Sequence, residues 1–212
     1  MKLDILAFAA HPDDIELSAS GTLMKHIAQK KLVGIIDLTQ GELGSRGTIE
    51  SRESEAEAAS KIMGIHSRVN LKFRDGFFEN NEENRLRIIE QIRRFQPEII
   101  LCNALSDRHP DHGRAGKLVS EACFYSGLTK IETKWLDFRQ TAWRPKAVYN
   151  YIQDRYIEPY FVVDISEFYE RKMAAIKAYK SQFFDPESNE PKTPISGEEF
   201  FDFISGRMLN FG

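Results

Sequence analysis

The residues best suited to chemistry fall in two short clusters far apart in the chain. The stretch LAFAAHPDDIE (6–16) runs from an apolar segment into His11, Pro12, Asp13 and Asp14, with Glu16 just beyond. The second cluster, Asp107 to His112, reads DRHPDH, and three of the chain's five histidines lie in these two stretches. Zinc and similar divalent cations take imidazole nitrogens and carboxylate oxygens, and a catalytic site keeps one position open. A His-x-x-Asp pair from the first cluster plus one histidine from the second provides three ligands and that opening. Asp13 and Asp14 are neighbours whose side chains diverge. One can ligate while the other faces metal-bound water as a general base, the metal lowering the pKa of that water to about 7. His109 and His112 share one side of a helical turn, so their spacing leaves open which of them ligates. A plainer account makes Pro12 a turn residue and Asp13 or Asp14 a helix cap. Two His-Pro-Asp motifs, each at a predicted strand end on the same side of one sheet, favour the metal account. Glu16 suits the positive end of a helix whether or not it supports a ligand.

Those loops need a scaffold that brings them together. Continuous apolar runs predict buried strands over 4–10 and 32–39, with a helix over 18–30 between them. Residues 40–49 carry three glycines and form a loop, and a helix over 50–64 stops at Gly64. A strand over 67–73, a helix over 83–96, a strand over 98–104 and a helix over 113–127 follow. Such alternation predicts an α/β fold: a single Rossmann-like, doubly wound, mostly parallel sheet with helices on both faces. In strand order 3-2-1-4-5, strands one and four are adjacent and their carboxyl ends flank the switch point. His11, Asp13, Asp14, His109 and His112 then share one crevice. Further strands are expected over 146–153 and 159–166, a helix over 167–183, a loop over 185–197 and a short helix over 198–206.

The bulk properties narrow the classes. With 212 residues, 42% hydrophobic and 29% charged, the chain suits one soluble domain. A net charge of −3 argues against nucleic acid or an anionic membrane surface as the main partner. Cys102 and Cys123 lack CxxC spacing and read as small buried hydrophobes in a reducing cytosol. The N-terminus reads as a core strand and no apolar run is long enough to span a membrane, so a cytoplasmic location is expected. His26 and His66 have no clustered partners and read as surface residues. The glycine-poor HPDDIE stretch cannot cradle a pyrophosphate, which disfavours a nucleotide-binding module. A two-metal phosphoesterase needs a bridging carboxylate that is not evident, which favours a single ion.

The paired motifs AHPDDIE and HPDH resemble those of the LmbE-like, or PIG-L-type, N-acetylglucosamine deacetylases, zinc hydrolases that remove acetyl from an amino sugar. The stretch DLTQGELGSRGTIESRESEA (37–56), the DG at 75–76, and SQF followed by KTP are similar to the bacillithiol-biosynthesis deacetylases, which act on N-acetylglucosaminyl-malate. The resemblance implies one zinc ion per chain held by His11, Asp14 and His112, with Asp13 as general base. It implies His109 as the imidazole that stabilises the tetrahedral intermediate or protonates the leaving amine. A neutral imidazole cannot donate that proton without first acquiring one, and Asp107 or Asp111 is expected to favour its charged form. Arg52 matches an arginine that relatives place at the pocket.

From their residue types, Arg46, Arg52 and Arg74 suit the two carboxylates of malate, Asp75 suits sugar hydroxyls, and Arg108 is read as facing the substrate. The plainer accounts are an ion pair along its own helix for Arg52 and a turn for Asp75. An amidase of the same family acting on a thiol conjugate, or a deacetylase of another N-acetylglucosamine derivative, is the alternative activity. Members of the family run on past the point where this chain reaches Gly212, so a further C-terminal segment is expected. A tyrosine that some relatives bring from that region has no counterpart in SGEEFFDFI. The aromatics of EEFFDFISGRMLNFG suggest packing against another subunit, and a homo-oligomer is expected.

Overall fold

The structure, a computed structural model, describes residues 1–211. Its main sheet is built from β1 (Ile5–Ala9), β2 (Val33–Thr39), β3 (Ser67–Phe73), β4 (Ile99–Asn103) and β7 (Ala147–Tyr151) in the order β3-β2-β1-β4-β7. All four pairings are parallel, with Ile5 opposite both Val33 and Ile99. The predicted order is therefore the observed one. β1 and β2 are buried along their whole length, as expected for central strands covered on both faces.

Side chains alternate across the sheet with period two. Leu6, Phe8, Ile36 and Leu38 point to one face, where they meet Ile88, Ile89 and Ile92 of α4 (Glu82–Phe95) and Leu118, Val119 and Ala122 of α5 (Pro110–Tyr125). Ile5, Ala7, Ala9, Val33 and Ile35 point to the other. There they meet α1 (Asp14–Ser18), α2 (Ser20–Ala28), α3 (Ile49–Met63) and α6 (Tyr169–Lys177). Thr48 caps α3, its hydroxyl accepting from Ser51 N at 3.1 Å while the Ser51 hydroxyl accepts from Thr48 N at 2.8 Å. Gly64 ends the helix at φ 79°.

The helix expected over 167–183 ends at Lys177, and three further expectations change. The apolar run 159–166 is not a strand. Pro159 lacks a donor, and the segment crosses α2 instead of pairing with β7. It is held there by Lys25 Nζ on the Asp164 carbonyl at 2.7 Å and by Ile165 against Gly21. A short antiparallel hairpin, β5 (Lys134–Trp135) and β6 (Phe138–Arg139), stands where nothing was predicted. The last helix, α7 (Glu199–Phe211), is longer than predicted, and most of its apolar side is used within the chain: Ile204 is buried, and Phe200, Phe201 and Met208 pack on the core. Phe203 and Leu209 remain exposed. Both cysteines are buried and free, and among the described residues no helix is long and apolar enough to cross a membrane.

Helix and sheet press together at Gly116, where a Cβ would lie 2.5 Å from the Asn103 carbonyl oxygen and 3.0 Å from that of Ala104. Gly116→Ala is expected to destabilise by about 1–3 kcal/mol through this overlap. Gly206→Ala, whose Cβ meets nothing within 4 Å, should stabilise by roughly 0.5–1 kcal/mol as a helix-propensity gain. Urea unfolding midpoints of the two variants check both signs.

Candidate metal centre

Both clusters sit at the carboxyl ends of neighbouring strands. Asn103, the last residue of β4, fastens them: its Oδ1 accepts from Ala10 N at 3.0 Å and its Nδ2 donates to Asp14 Oδ2 at 3.0 Å. The chain then turns through Pro12 into Asp13, whose φ of 114° is unfavourable for any residue but glycine. Such a conformation costs about 1–3 kcal/mol and persists only where the surroundings enforce it. Arg52 does so: Nη2 donates to the Pro12 carbonyl at 2.8 Å and to Asp13 Oδ2 at 2.9 Å, and Nη1 reaches the Gly41 carbonyl at 3.4 Å. Gly41 must lack a side chain, since a Cβ there would fall 2.4 Å from Arg52 Nη1.

Asp14 opens α1 with its carboxylate fully engaged. Oδ2 also accepts from His11 N at 3.0 Å, and Oδ1 accepts from Gln153 Nε2 at 2.7 Å. His112 Nε2 lies 3.2 Å from Oδ1 and His11 Nδ1 lies 3.9 Å from Oδ2. The far side of each ring is held by carboxylates: His112 Nδ1 by Asp107 Oδ2 at 2.8 Å, and His11 Nε2 by Asp75 Oδ1 at 3.0 Å with Asp111 Oδ2 at 3.4 Å. This is the carboxylate–imidazole support that metal-binding histidines usually have. His109 caps α5, its Nδ1 accepting from Asp111 N at 3.2 Å. The ring's hydrogen is therefore on Nε2 when it is neutral. One nitrogen from each of His11, His109 and His112 lies within 4.8 Å of the other two. His11, Asp75 and Asp111 form a second such group. Imidazole nitrogens converging beside the Asp14 carboxylate are a donor set that suits a divalent ion of the zinc, iron(II) or cobalt kind.

The charges respond to this crowding. Burial lowers the pKa of His11, but its hydrogen bonds to Asp111 and Asp75 and the charge of Asp14 raise it to about 9. His112 is likewise lowered by burial and raised, chiefly by Asp14 and Asp107, to about 10. Asp14, despite burial, is held well below the usual carboxylate range by His112 and His11. Burial pushes Asp13 up to about 7 against the opposing charge of Arg52. His109 moves the other way, lowered by burial and by the neighbouring His11 and His112.

The structure thus brings His11, Asp13, Asp14, His109 and His112 to one crevice. It redirects several other predicted residues. Asp107 and Asp111 direct their carboxylates to His112 and His11. The nearby charge of Asp111 favours protonated His109 less than burial and the other two rings oppose it. Arg46 is buried with all three nitrogens on internal acceptors: Ser181 O at 2.6 Å, Ser188 Oγ at 2.9 Å and Pro191 O at 3.3 Å. Arg52 grips the Asp13 turn and not a glutamate of its own helix. Asp75 braces His11 and accepts from Leu43 N at 3.0 Å. Arg108 is exposed and paired with the Asp154 carboxylate, and Arg74 lies over the Phe77 ring. His66 is not idle, since its Nδ1 accepts from Val33 N at 3.2 Å. Sequence reasoning missed Asn103 and Gln153. Asn103 had a signal, being a polar residue closing a buried apolar strand, whereas Gln153 had none.

Glu16 supports no ligand histidine. It is wholly buried and joins Arg68 Nη1 at 2.6 Å and the Tyr179 hydroxyl at 3.1 Å, while Arg68 forks onto Asp37 at 2.7 and 2.9 Å. Lys172 Nζ donates to the Glu16 and Leu17 carbonyls at 3.0 and 2.8 Å, and burial lowers its pKa to about 7.

Comparison with known proteins places the chain among deacetylases. The sequence profile of the family described as PIG-L, GlcNAc-PI de-N-acetylase, matches residues 6–123. A diacetylchitobiose deacetylase of Thermococcus kodakarensis is 29% identical over 84% of this chain and 70% of its own length. A probable N-acetyl-alpha-D-glucosaminyl L-malate deacetylase 2 of Bacillus anthracis is 27% identical over 84% of this chain and 81% of its own. The crystal structure of the conserved protein TT1542 from Thermus thermophilus superposes with a TM-score of 0.80 at 40% identity, covering 85% of this chain and 80% of that one.

The raised values of His11 and His112 fix the sign of two pH effects. In the metal-free protein their stabilisation is complete below the unfolded value near 6.5 and is lost as pH rises through about 9 to 10. Urea midpoints should therefore fall over that window, and His112→Asn should flatten the fall. Metal binding needs neutral imidazoles, so zinc added near pH 7 should release up to two protons and bind more tightly as pH rises. Proton release into a weak buffer measures this; no release would contradict the ligand roles of both histidines.

Proposed function

This chain belongs to the PIG-L family of GlcNAc-PI de-N-acetylases, and on that premise we propose that it is a zinc-dependent N-deacetylase. It hydrolyses the acetamide of an N-acetylglucosamine derivative, most specifically N-acetylglucosaminyl-malate, in the cytoplasm. The observation that carries the proposal is the convergence of His11, His109 and His112 within 4.8 Å beside Asp14 and Asp13. The malate glycoside is favoured by the resemblance of 37–56 and of the SQF segment, and by the relative in Bacillus anthracis.

His11, Asp14 and His112 would hold one zinc ion. When bound, such an ion polarises the acetyl carbonyl and lowers the pKa of water to about 7. The remaining steps belong to the chain. Asp13, fixed by Arg52, takes a proton from the water that attacks the carbonyl carbon. A carboxyl group with a pKa near 7 serves well as both base and acid at neutral pH. His109 stays neutral and presents its Nε2 hydrogen, so its role is to donate a hydrogen bond to the developing oxyanion; such donors are worth roughly 3–4 kcal/mol. Because His109 carries no spare proton, Asp13 returns its own to the departing amine. Products are acetate and the free amino sugar.

Purified protein with one equivalent of zinc should release acetate from N-acetylglucosaminyl-malate. Asp13→Asn should lower kcat by about 10²–10⁴ while retaining zinc, and His112→Ala should lose both zinc and activity. His109→Ala should lower kcat by about 10²–10³ without moving the basic limb of the pH profile. Zinc-loaded wild type that leaves both this glycoside and N,N'-diacetylchitobiose intact would sink the proposal.

A further inference from the structure

Of the arginines expected to meet an anionic substrate, three are occupied, and Arg74 lies over the Phe77 ring. Arg46 is consumed by 181–191, Arg52 by the Asp13 turn and Arg108 by Asp154. A different cation lies beside the site. The turn after β7 touches both motifs, since Gln153 reaches Asp14 while the backbone nitrogens of Asp154 and Arg155 approach the Asp107 carboxylate at 3.4 and 2.8 Å. The same Asp107 oxygen that faces Asp154 N also holds the ring of His112.

Between this turn and one face of α7 lies a cavity of about 430 Å³, lined by Asp154, Tyr156, Phe203, Arg207, Asn210 and Phe211 among others. Positions 203, 207, 210 and 211 recur at helical spacing and so share that face. Tyr156 and Phe211 stack with ring planes 11° apart, and the Arg207 guanidinium lies over Phe211. Among the described residues Arg207 has no carboxylate partner. Its Nη1 makes one long bond, 3.3 Å to the Asp154 carbonyl, and its Nη2 is buried with no hydrogen-bond partner, so an anion reaches it only by a shift of the side chain. The Asp154 carboxylate is paired with Arg108.

In an N-acetylglucosamine glycoside the acetamide is on the carbon next to the anomeric one. The aglycone therefore begins one carbon from the carbon bearing the reacting nitrogen, and whatever holds it must border the catalytic crevice. We propose that this cavity is the aglycone subsite and that Arg207, aided by Asn210, takes an anionic group of the aglycone; this deepens the deacetylase assignment and rests on it. A guanidinium over an aromatic ring with an unused N–H suits a carboxylate, and a phosphate has the same chemistry.

The test compares kcat/KM for three substrates: N-acetylglucosaminyl-malate, N-acetylglucosamine 1-phosphate and the neutral methyl glycoside. Arg207→Gln should reduce the ratio of the malate to the methyl substrate at least tenfold, mainly through KM. Arg207→Lys should restore part of it. Asn210→Asp, which puts a negative charge in the cavity, should shift the ratio the same way. An equal fall for the phosphate assigns a general anion site, and no fall there assigns a carboxylate site. A ratio that stays within twofold in both Arg207→Gln and Asn210→Asp overturns the proposal. If zinc-loaded wild type deacetylates none of the three and leaves N,N'-diacetylchitobiose intact as well, the activity assignment fails separately. Calorimetric binding of glucosaminyl-malate then decides the subsite, with affinity retained in Arg207→Gln counting against it.

Discussion

The end of β1 gathers more negative charge than a protein interior can hold unaided. Asp13, Asp14, Asp75, Asp107, Asp111 and Glu16 are all buried at the carboxyl ends of neighbouring strands. An uncompensated buried ion carries a penalty of several kcal/mol, so the fold is viable only if each carboxylate meets a cation or an N–H donor. Arg52 answers Asp13, Arg68 answers Glu16, and backbone amides at Leu43, Gly76 and Arg155 answer Asp75, Asp111 and Asp107. Arg114 adds a cation at Asp111, and His11 and His112 lie against Asp14 and the aspartates behind the rings, so their affinity for protons rises in consequence. Two imidazolium ions and one divalent cation carry the same charge. On the proposed metal binding, exchanging the first for the second would leave the electrostatic balance of the centre intact.

That balance needs α1 in one place, and α1 is too short to hold itself. A helix of five residues is far below the length at which isolated helices persist. Its position comes from side chains on distant elements. Arg68 on β3 ties Glu16 to Asp37 on β2, Tyr179 bonds Glu16 just beyond α6, and Lys172 on α6 takes the carbonyls of Glu16 and Leu17. The C-terminal SQF segment works outward from there. Ser181 donates to both Glu55 oxygens and Gln182 bonds the Arg46 carbonyl, closing the loop 40–49 over the Arg52 side of the site. The SQF residues thus act in this chain as tethers.

The parallel sheet and the meeting of the two His-Pro-Asp loops were readable from sequence because both follow from local rules. Continuous apolar runs make buried strands, glycines and caps end helices, and the switch point of such a sheet is fixed by strand order. What was not readable depends on long-range competition for partners. The types of Arg46 and Arg52 suit carboxylates, but whether a guanidinium is free depends on residues up to 145 positions away. The run 159–166 has strand composition, yet the sheet edge it should join is left behind as the chain crosses α2. Arg207 lay in a region read as a cluster of aromatics, because nothing local says which face of α7 turns toward the turn at 153–155.

The assignment of acid and base follows from the same crowding, since groups whose environments drive their pKa values in opposite directions divide the work. His109 is flanked by two rings that attract protons, and its own Nδ1 is spent on a backbone N–H. Added positive charge nearby, whether imidazolium or metal, disfavours protonating it further. Asp13 feels burial and the charge of Asp14 on one side and Arg52 on the other. Losing the Arg52 contact would leave its carboxylate without its nearest cation while its backbone sits in a conformation that arginine helps enforce. Strain, ionisation and aim at this residue are therefore one interaction. In the proposed reaction, the proton needed by the departing amine would then come from Asp13, the group that has just acquired one.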